Sequence, residues 1–455
     1  MNPNLLRALA MRLHDSRTTI PEPAMASARM HFLDALCVGI AGSAWGSATE
    51  VAKVEGAPGP CSILGADRST APEIAALING TMIHSLEYDD THTESVVHGS
   101  SVLAPAALAV AEHKDVDFDI MIAAFAVGWE FLIRLGLSDP GGLQRRGFQV
   151  TAAAGVFAAA AVSSLLSSDD IEECAQALAI AGSMASGTLG PAKRGNSAKA
   201  VQAGWAAHSG IMAAELARVG INGPHDVFSG ATGFFSLYGG EDTSGAFASA
   251  IEDIGTRWLL TKAAFKMYPC CHYIHPFIEA ALSLRSRIPD VAELASIHCH
   301  VPDAAIPVVV EPWDQRVAIE TTQEARWSLP YVLAAVFVDG EVTLGSFRGQ
   351  PREDVIAIAE RIDYEPWLDS GFPRVFPARV GVTLYDGSHL ECVVDDVLGN
   401  QDRPFTQDDV RRKARGNLAS VDYSAERIEA VIALLSEGGR GRVSELSRLL
   451  RTSDA

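Results

Sequence analysis

The sequence is poor in basic residues. Lys and Arg number 36 against 56 Asp and Glu, which gives a formal net charge of -20. Nucleic acids and anionic membrane surfaces are bound through clustered positive charge, so we expect neither as a partner. A small anionic ligand stays compatible with this balance if a few cations gather in one local pocket.

Cysteine and long apolar runs are scarce as well. The 7 cysteines in 455 residues follow no even spacing, which is typical of reduced thiols in a cytoplasmic protein. The first residues lack the cationic start and apolar core of a signal peptide. The most apolar stretch, residues 151–166, is mostly alanine, and its length and weak hydrophobicity argue against a membrane span. The sequence therefore predicts a cytoplasmic location.

What the chain does contain is a long helical pattern. Its 455 residues exceed the usual size of one core, which favours two domains. Up to about residue 265, apolar and small residues recur at helical spacing. The predicted helices there cover residues 24–42, 71–86, 101–112, 120–135, 151–166, 171–183 and 204–219. Further helical segments are predicted near the end of the chain, at 406–418 and 424–450.

A strand pattern lies between these helical parts. Alternating apolar residues predict strands at 297–301, 380–384 and 390–394, with a hairpin signal at Asp386-Gly387 and helices at 328–338 and 352–362. We therefore predict a mainly α fold, with a large all-helical domain built from both chain ends and a smaller α+β domain. The predicted boundaries are 1–265 for the helical domain, 266–400 for the α+β domain, and 401–455 for C-terminal helices that return to the helical domain.

The segment 84–98, HSLEYDDTHTESVVH, concentrates ionisable residues. It holds three histidines and four acidic residues between two apolar helical runs. A solvated loop that caps the next helix is one interpretation, and a metal site is another, because imidazole and carboxylate bind several metals. The spacing matches no established metal motif such as HEXXH. The spacing alone therefore leaves two interpretations equally open: a site for catalysis or small-molecule binding, and a solvated loop.

A second segment is basic. Lys193, Arg194 and Lys199 lie beside Gly195 and Asn196 at the start of a predicted helix, where an anion is favoured by the helix dipole. Basic residues in such a position are more often simply solvated. Because the segment has no phosphate-binding loop motif, a nucleotide is not indicated.

A third segment, KMYPCCHYIHP at 266–276, combines cysteine and histidine. Zinc binding and a Cys/His nucleophilic pair are both conceivable. The segment has neither a second Cys-x-x-Cys half nor an oxyanion motif, which weakens both interpretations. A turn at a domain junction, fixed by its two prolines, is the structural alternative.

Taken together, these segments resemble the MmgE/PrpD family. The motifs that carry the resemblance follow in order as ALING at 76–80, HSLEYDDTH at 84–92, RGF at 146–148, TAAAG at 151–155, GWAAHSG at 204–210, KMYPCC at 266–271 and ARWSLPY at 325–331. The resemblance implies a large helical domain built from both chain ends and a small α+β domain. It also implies a homodimer that needs no metal and no organic cofactor.

The resemblance also implies site residues, carried over motif by motif. As catalytic candidates we assign His98, Lys199 and His275. The substrate-binding candidates are Glu87, Thr91, Arg194, Gln202, Lys266 and Tyr268. No residue is assigned to a metal.

Several positions depart from the family pattern. Gln202 stands where the motif around Lys199 usually has His, and Gln149 stands where His is common. Cys271 occupies a position where some relatives carry His, and Glu87 replaces a usual Asp. Loss of imidazoles changes the substrate contacts or the proton path, so these departures bear on the substrate more than on the fold.

The implied function is proton chemistry next to a carboxylate of a small polycarboxylic acid. Removing such a proton adds charge to an anionic group, so a base and cations aimed at the developing oxyanion are needed. Lys199 suits the cation, supported by Lys266 and Thr91, while His98 and His275 suit proton transfer. Lys199 as the base is the alternative.

The reaction itself stays open at this level. We expect a hydro-lyase resembling 2-methylcitrate dehydratase first. Epimerisation of an iminodisuccinate-like dicarboxylate and decarboxylation of a cis-aconitate-like acid are the alternatives within the resemblance. A non-catalytic polycarboxylate-binding protein is the alternative from a different class, and it has no need of both His98 and His275.

Overall fold

The computed structural model describes residues 5–190, 196–400, 402–438 and 441–451. Contacts among these residues separate two compact units. The larger unit draws on the chain up to residue 190, on Ser197–Phe265 and on the described residues from Thr406 onward. The smaller unit consists of Asn196 and Lys266–Phe405. Both ends of the described chain therefore belong to the larger unit.

Helices dominate the first part of the larger unit. In chain order they are α1 (Leu5–Ser16), α2 (Glu22–Trp45), α3 (Pro72–His84), α4 (Ser100–Lys114), α5 (Phe118–Leu137), α6 (Gly142–Arg145), α7 (Val150–Ser167), α8 (Ile171–Ala181), α9 (Ala198–Arg218) and α10 (Ser244–Ala250). A short antiparallel ribbon of β1 (Cys61–Ser62) and β2 (Ser69–Thr70) lies between α2 and α3.

Helices α3, α4, α7 and α9 pack against one another. Small residues permit this close packing, most clearly where α3 crosses α9. A Cβ added to Gly204 on α9 would stand 2.1 Å from the carbonyl oxygen of Leu77, and one added to Gly80 on α3 would stand 2.7 Å from the Cα of Gly204. Only glycine fits at these two positions without a shift of the backbone. The crossing brings the start of α9 beside the polar segment that follows α3.

Three helices in the described part of the chain are long and apolar enough, by length and composition, to cross a membrane. They are α2, α5 and α7, and 78%, 89% and 94% of their apolar windows are buried inside the chain. This burial accounts for their composition, because a helix that is apolar all round is a buried one. The expectation that residues 151–166 are too short for a span was wrong, because the helix continues over Val150–Ser167 and reaches 18 residues.

The smaller unit combines helices with one sheet. Its helices are α11 (His275–Arg285), α12 (Ile306–Val309), α13 (Trp313–Val317), α14 (Thr322–Ala325), α15 (Leu329–Asp339) and α16 (Glu353–Ala359). Its strands are β3 (Leu294–Pro302), β4 (Ile362–Trp367), β5 (Ala378–Leu384) and β6 (His389–Val394), in the spatial order β4-β3-β5-β6. The β3–β4 pair is parallel, and the β3–β5 and β5–β6 pairs are antiparallel.

The sheet has one buried and one exposed face. Ile297 and Cys299 of β3 and Val380 and Val382 of β5 are buried, and α11 packs against β5 and β6. Their neighbours along each strand point the opposite way, as the alternation of a strand requires. The opposite face therefore presents polar side chains to solvent.

The C-terminal helices complete the larger unit. They are α17 (Gln407–Ala419), α18 (Ala425–Glu437) and α19 (Val443–Leu450). Helix α17 begins with a capping box, in which the Thr406 side chain accepts from the Asp409 backbone N–H and the Asp409 side chain accepts from that of Thr406. Helices α17 and α18 pack on α2, and α19 packs on α4.

The predicted fold class, mainly α with a smaller α+β part, is confirmed. Two details were wrong. The β1–β2 ribbon means that the larger unit is not all-helical. Residues 352–362 were predicted as one helix, but α16 ends at Ala359 and Ile362 begins β4. Strand β4 lies at the sheet edge and contains Pro366, and both features weaken the alternating pattern of a strand.

Candidate active site

The segment between α3 and α4 is polar in sequence, yet most of its polar side chains are buried, and Glu94 is the exposed acid. Burial is nearly complete, at most 6% exposure, for the five residues Glu87, Asp89, Asp90, Thr91 and His92. Glu87 has a backbone φ of 53°, in the left-handed region that side chains other than glycine rarely adopt. Such a conformation costs about 1–3 kcal/mol and persists where the surroundings hold it in place. The interpretation of this segment as a solvated loop is therefore wrong.

Lys199 lies in the first turn of α9 and reaches this segment. Its Nζ is 2.6 Å from Oε1 and 2.7 Å from Oε2 of Glu87, and both side chains are buried. A lysine that donates to both oxygens of a carboxylate acts as a fixed ammonium, which favours the cation role over the base role. The structure thus joins two of the predicted site residues that lie far apart in sequence.

His98 stands at the end of the same segment. Its Nδ1 donates to the backbone carbonyl of Asp90 at 2.9 Å, and its own backbone N–H donates to Oγ1 of Thr151 at 3.0 Å. In the neutral ring this arrangement leaves Nε2 as the nitrogen without a proton, so Nε2 is the atom that exchanges protons. The side chain is 20% exposed, which makes it reachable by a small molecule.

His84 ends α3 beside His98, with the two ring centroids 5.2 Å apart. Its Nδ1 donates to Oδ2 of Asp89 at 2.7 Å, and its Nε2 accepts from the side-chain amide of Gln149 at 3.1 Å. Both ring nitrogens are therefore engaged, and the ring is buried. Gln149, which departs from the family pattern, thus contacts a histidine of the segment.

His92, in the same segment, is also buried. Its Nδ1 accepts from the backbone N–H of Ser95 at 3.3 Å and lies 2.8 Å from the Ser95 hydroxyl. Burial, with a smaller contribution from the positive charge of Lys262, lowers the pKa of His92 to about 4. Within residues 84–98, which the structure describes in full, His98 is the one partly exposed imidazole.

A network of buried polar side chains contacts the segment between α3 and α4. Asp90 accepts from the Ser100 hydroxyl and lies 2.7 Å from Nδ1 of His31. Lys413 of α17 pairs with Asp34 of α2 at 2.8 Å and donates to the backbone carbonyl of Tyr88 at 2.8 Å.

These charges are wholly enclosed. Burial raises the pKa of Asp34 to about 6 against the opposing effect of the Lys413 ammonium, which lowers it. Burial likewise lowers the pKa of Lys413. The roles of His31, Asp34 and Lys413 were not predicted from the sequence. An acid and a histidine inside the apolar run of α2 were the available signal, whereas nothing in the sequence pointed to Lys413.

The other predicted residues of the larger unit lie as follows. Thr91 is buried, and its backbone pairs with Ala264 through hydrogen bonds of 2.9 and 2.7 Å. Gln202 lies one turn after Lys199 on α9 and donates from Nε2 to the carbonyl of Thr188 at 2.9 Å. Arg194 lies outside the described residues.

The smaller unit holds the remaining predicted residues. Lys266 and His275 are buried, and the rings of Tyr268 and His275 meet edge to face with centroids 5.3 Å apart. Burial raises the pKa of Tyr268 to about 12 and lowers that of its neighbour His272 to about 3. His275 opens α11, followed by Pro276 in the first turn. Its role in catalysis stays a prediction.

Family models for the MmgE/PrpD N-terminal and C-terminal domains match residues 8–245 and 268–437. The chain belongs to the MmgE/PrpD family.

Its curated relatives include cis-aconitate decarboxylases. It is 31% identical to the cis-aconitate decarboxylase-like protein oryM of Aspergillus oryzae, over 95% of this chain and 94% of that protein. It is 28% identical to cis-aconitate decarboxylase of Mus musculus, over 89% of this chain and 84% of that protein. The Aspergillus terreus enzyme is 26% identical, over 86% and 83% of the two chains. These similarities support an enzyme of the lyase class.

Proposed function

We propose that the chain is a lyase that removes CO2 from a small unsaturated polycarboxylate of the cis-aconitate type. One observation carries the proposal: the segment that binds the buried Lys199 ammonium through Glu87 contains a single partly exposed imidazole, His98. One fixed cation and one proton donor are what such a decarboxylation needs. The similarity to cis-aconitate decarboxylases and to a decarboxylase-like protein supports this reaction.

The chemistry has few requirements. Loss of CO2 breaks a carbon–carbon bond and leaves its electron pair on an allylic carbanion, which the double bond spreads toward a neighbouring carboxylate. A fixed ammonium lowers the energy of that anion, because a preorganised charge costs no rearrangement during the reaction. One proton from a His98 imidazolium then quenches the carbanion. A tricarboxylate and one proton thus become a dicarboxylate and CO2.

We assign this chemistry to side chains, without a metal or an organic cofactor. Glu87 positions the ammonium of Lys199, and the N-terminal end of α9 adds a favourable field for a carboxylate. Arg194, Gln202, Thr91, Lys266 and Tyr268 stay proposed substrate contacts. His275 stays a proposed second proton-transfer residue.

Dehydration is the second candidate. It requires a base for the α-proton and an acid for the departing hydroxyl, and so two proton-transfer groups. His275, which the family resemblance implies as a catalytic residue, is the second imidazole that this reaction would use. Gln149 and Gln202 stand where relatives carry further imidazoles, and this loss favours the reaction that needs fewer of them.

An assay of product identity separates these reactions. The full chain is incubated in D2O with cis-aconitate, 2-methylcitrate or an iminodisuccinate-like dicarboxylate, and the products are followed by NMR. The proposal expects CO2 and a deuterated dicarboxylate from cis-aconitate. An alkene formed from 2-methylcitrate without CO2 would favour dehydration. Exchange of the α-proton together with formation of the epimer of the starting acid would favour epimerisation, and binding without any change would favour a non-catalytic protein.

A further inference from the structure

The exposed face of the four-stranded sheet carries a cluster of histidines and acids. His298 and His300 lie two residues apart on β3, so their side chains share one face. In the parallel register, His298 pairs with Asp363 and His300 pairs with Glu365 on β4. The four side chains therefore stand together on the solvent side of the smaller unit. None of them belongs to the segments given a catalytic role above.

The donor atoms are close enough to share an ion. One ligand atom each from His298, His300 and Glu365 lies within 4.8 Å of the others. Nδ1 of His300 is 2.7 Å from Oε1 of Glu365, and Nε2 of His298 is 3.7 Å from Oε2 of the same residue. A tetrahedral ion with metal–ligand distances of about 2.0–2.2 Å holds its ligand atoms roughly 3.3–3.6 Å apart. Small movements of these partly exposed side chains satisfy that geometry.

Asp363 adds a second, independent feature. Its Oδ1 accepts a hydrogen bond from Nδ1 of His298. Metal-binding histidines commonly donate their other ring N–H to a carboxylate, which fixes the ring and raises the basicity of the binding nitrogen. The contact orients Nε2 of His298 toward Glu365, so Asp363 acts as a positioning residue.

The local charge also suits a cation. Arg379 of β5 faces His300 across the sheet, but its guanidinium pairs with Glu391 at 2.8 and 3.2 Å. That pair is close to neutral as a unit. Asp363 and Glu365 then supply the net negative charge next to the two imidazoles.

We propose that His298, His300 and Glu365 form a surface site for a divalent transition metal of the zinc class. Two imidazoles and one carboxylate match the ligand preference of Zn²⁺, whereas Mg²⁺ and Ca²⁺ prefer oxygen ligands alone. The remaining coordination position faces solvent, because His298 and His300 are 39% and 23% exposed. Bound metal links β3 to β4 and so stabilises the edge of the sheet.

Zinc binding to the full, untagged chain tests the site. The protein is stripped with a chelator and titrated with ZnCl2 by calorimetry. We expect one Zn²⁺ per chain, and more than a 10-fold loss of affinity in His300→Ala and in Glu365→Gln. Asp363→Asn should weaken zinc binding by about 10–100-fold, as expected for a residue that positions a metal ligand through a hydrogen bond. His225→Ala, which removes an exposed histidine of the larger unit, is the matched control and should bind as the unaltered chain does.

Two further measurements guard against a folding artefact. Thermal unfolding of each variant without metal should match that of the parent chain, and added Zn²⁺ should raise the melting temperature of the parent but not of His300→Ala. Mg²⁺ in excess should not compete. Binding that persists in a His298→Ala/His300→Ala double variant, or no binding by the parent chain, would overturn the proposal.

Discussion

In the proposed function, the Lys199–Glu87 pair presents a positive charge to the bound anion. A single change to Lys199 leaves a buried carboxylate without its ammonium, which lowers the free energy of unfolding by about 3–5 kcal/mol. A loss of activity in that variant could then come from a loss of stability as well as from a loss of catalysis. The double variant Lys199→Met/Glu87→Gln removes both charges at once and avoids that cost. It is therefore the informative change at this site.

We expect the double variant to fold and to lose turnover. Loss of the preorganised Lys199 ammonium should lower kcat/KM by about 10²–10³-fold, as for removal of a single oxyanion donor. Steady-state kinetics and circular dichroism are the measurements. Lys114→Met, which changes an exposed lysine near the end of α4, is the control and should behave as the parent chain. Near-normal turnover in the folded double variant would remove Lys199 from the mechanism.

His92 gives the stability a definite pH dependence. The folded ring takes up a proton only near pH 4, whereas the unfolded ring does so near 6.5. Between these values the unfolded state binds more protons, so the free energy of unfolding falls as the pH falls. The full effect of this one group is about 3 kcal/mol.

His92→Asn should reduce that dependence, because the amide oxygen takes the place of Nδ1 as acceptor from Ser95. Urea unfolding at pH values from 7 to 4 measures it. We expect a shallower loss of stability in the variant, and not its disappearance, since His272 is also held neutral by burial. An unchanged slope would mean that His92 carries its charge in the folded chain.

At the scale of elements, the crossing of α3 and α9 holds the site together. Gly204→Ala places a methyl group against the backbone of Leu77 and should push the helices apart. We expect a loss of about 1–3 kcal/mol in stability and lower turnover, because Lys199 sits one and a half turns earlier on α9.

Gly416→Ala on α17 is the control, since nothing lies within 4 Å of its added Cβ. It should be neutral or stabilise by up to about 1 kcal/mol. Equal effects of both changes on stability and turnover would contradict the role of this crossing.

Helical elements were readable from the sequence because their apolar residues recur over long stretches. Helices α2, α4, α5 and α7 were predicted within two or three residues at each end. Helix α9 was predicted to begin at 204, whereas it begins at Ala198, because its first turn is polar and carries Lys199. Strand β4 was not predicted, because it is short, carries charged residues and lies at the edge of the sheet.

For the molecule as a whole, the ionisable segment and the family could be inferred from the sequence alone. The pairing of the buried charged side chains could not. The contact between Glu87 and Lys199 joins residues 112 positions apart, and that between Asp34 and Lys413 joins residues 379 apart. Such contacts depend on how helices pack, and no local pattern encodes them. The resemblance to relatives supplied the candidates Glu87 and Lys199, and it supplied nothing for Asp34 and Lys413.

We also propose that the whole molecule is a homodimer, as the family resemblance implies. Light scattering at micromolar concentration should return twice the chain mass of 48.3 kDa. A particle of the mass of one chain would contradict the proposal.

The most direct test of the proposed function follows a single proton. In D2O, His98→Asn is compared with the parent chain on cis-aconitate, because the amide nitrogen keeps the hydrogen bond to Asp90 while the proton-transferring Nε2 is lost. His113→Gln, at an exposed position of α4, is the control. For the parent and the control we expect CO2 and one deuterium per product molecule. His98→Asn should lower kcat by about 10²–10⁴-fold with little change in KM. Unimpaired turnover in His98→Asn, or no CO2 from the parent chain, would contradict the central claim.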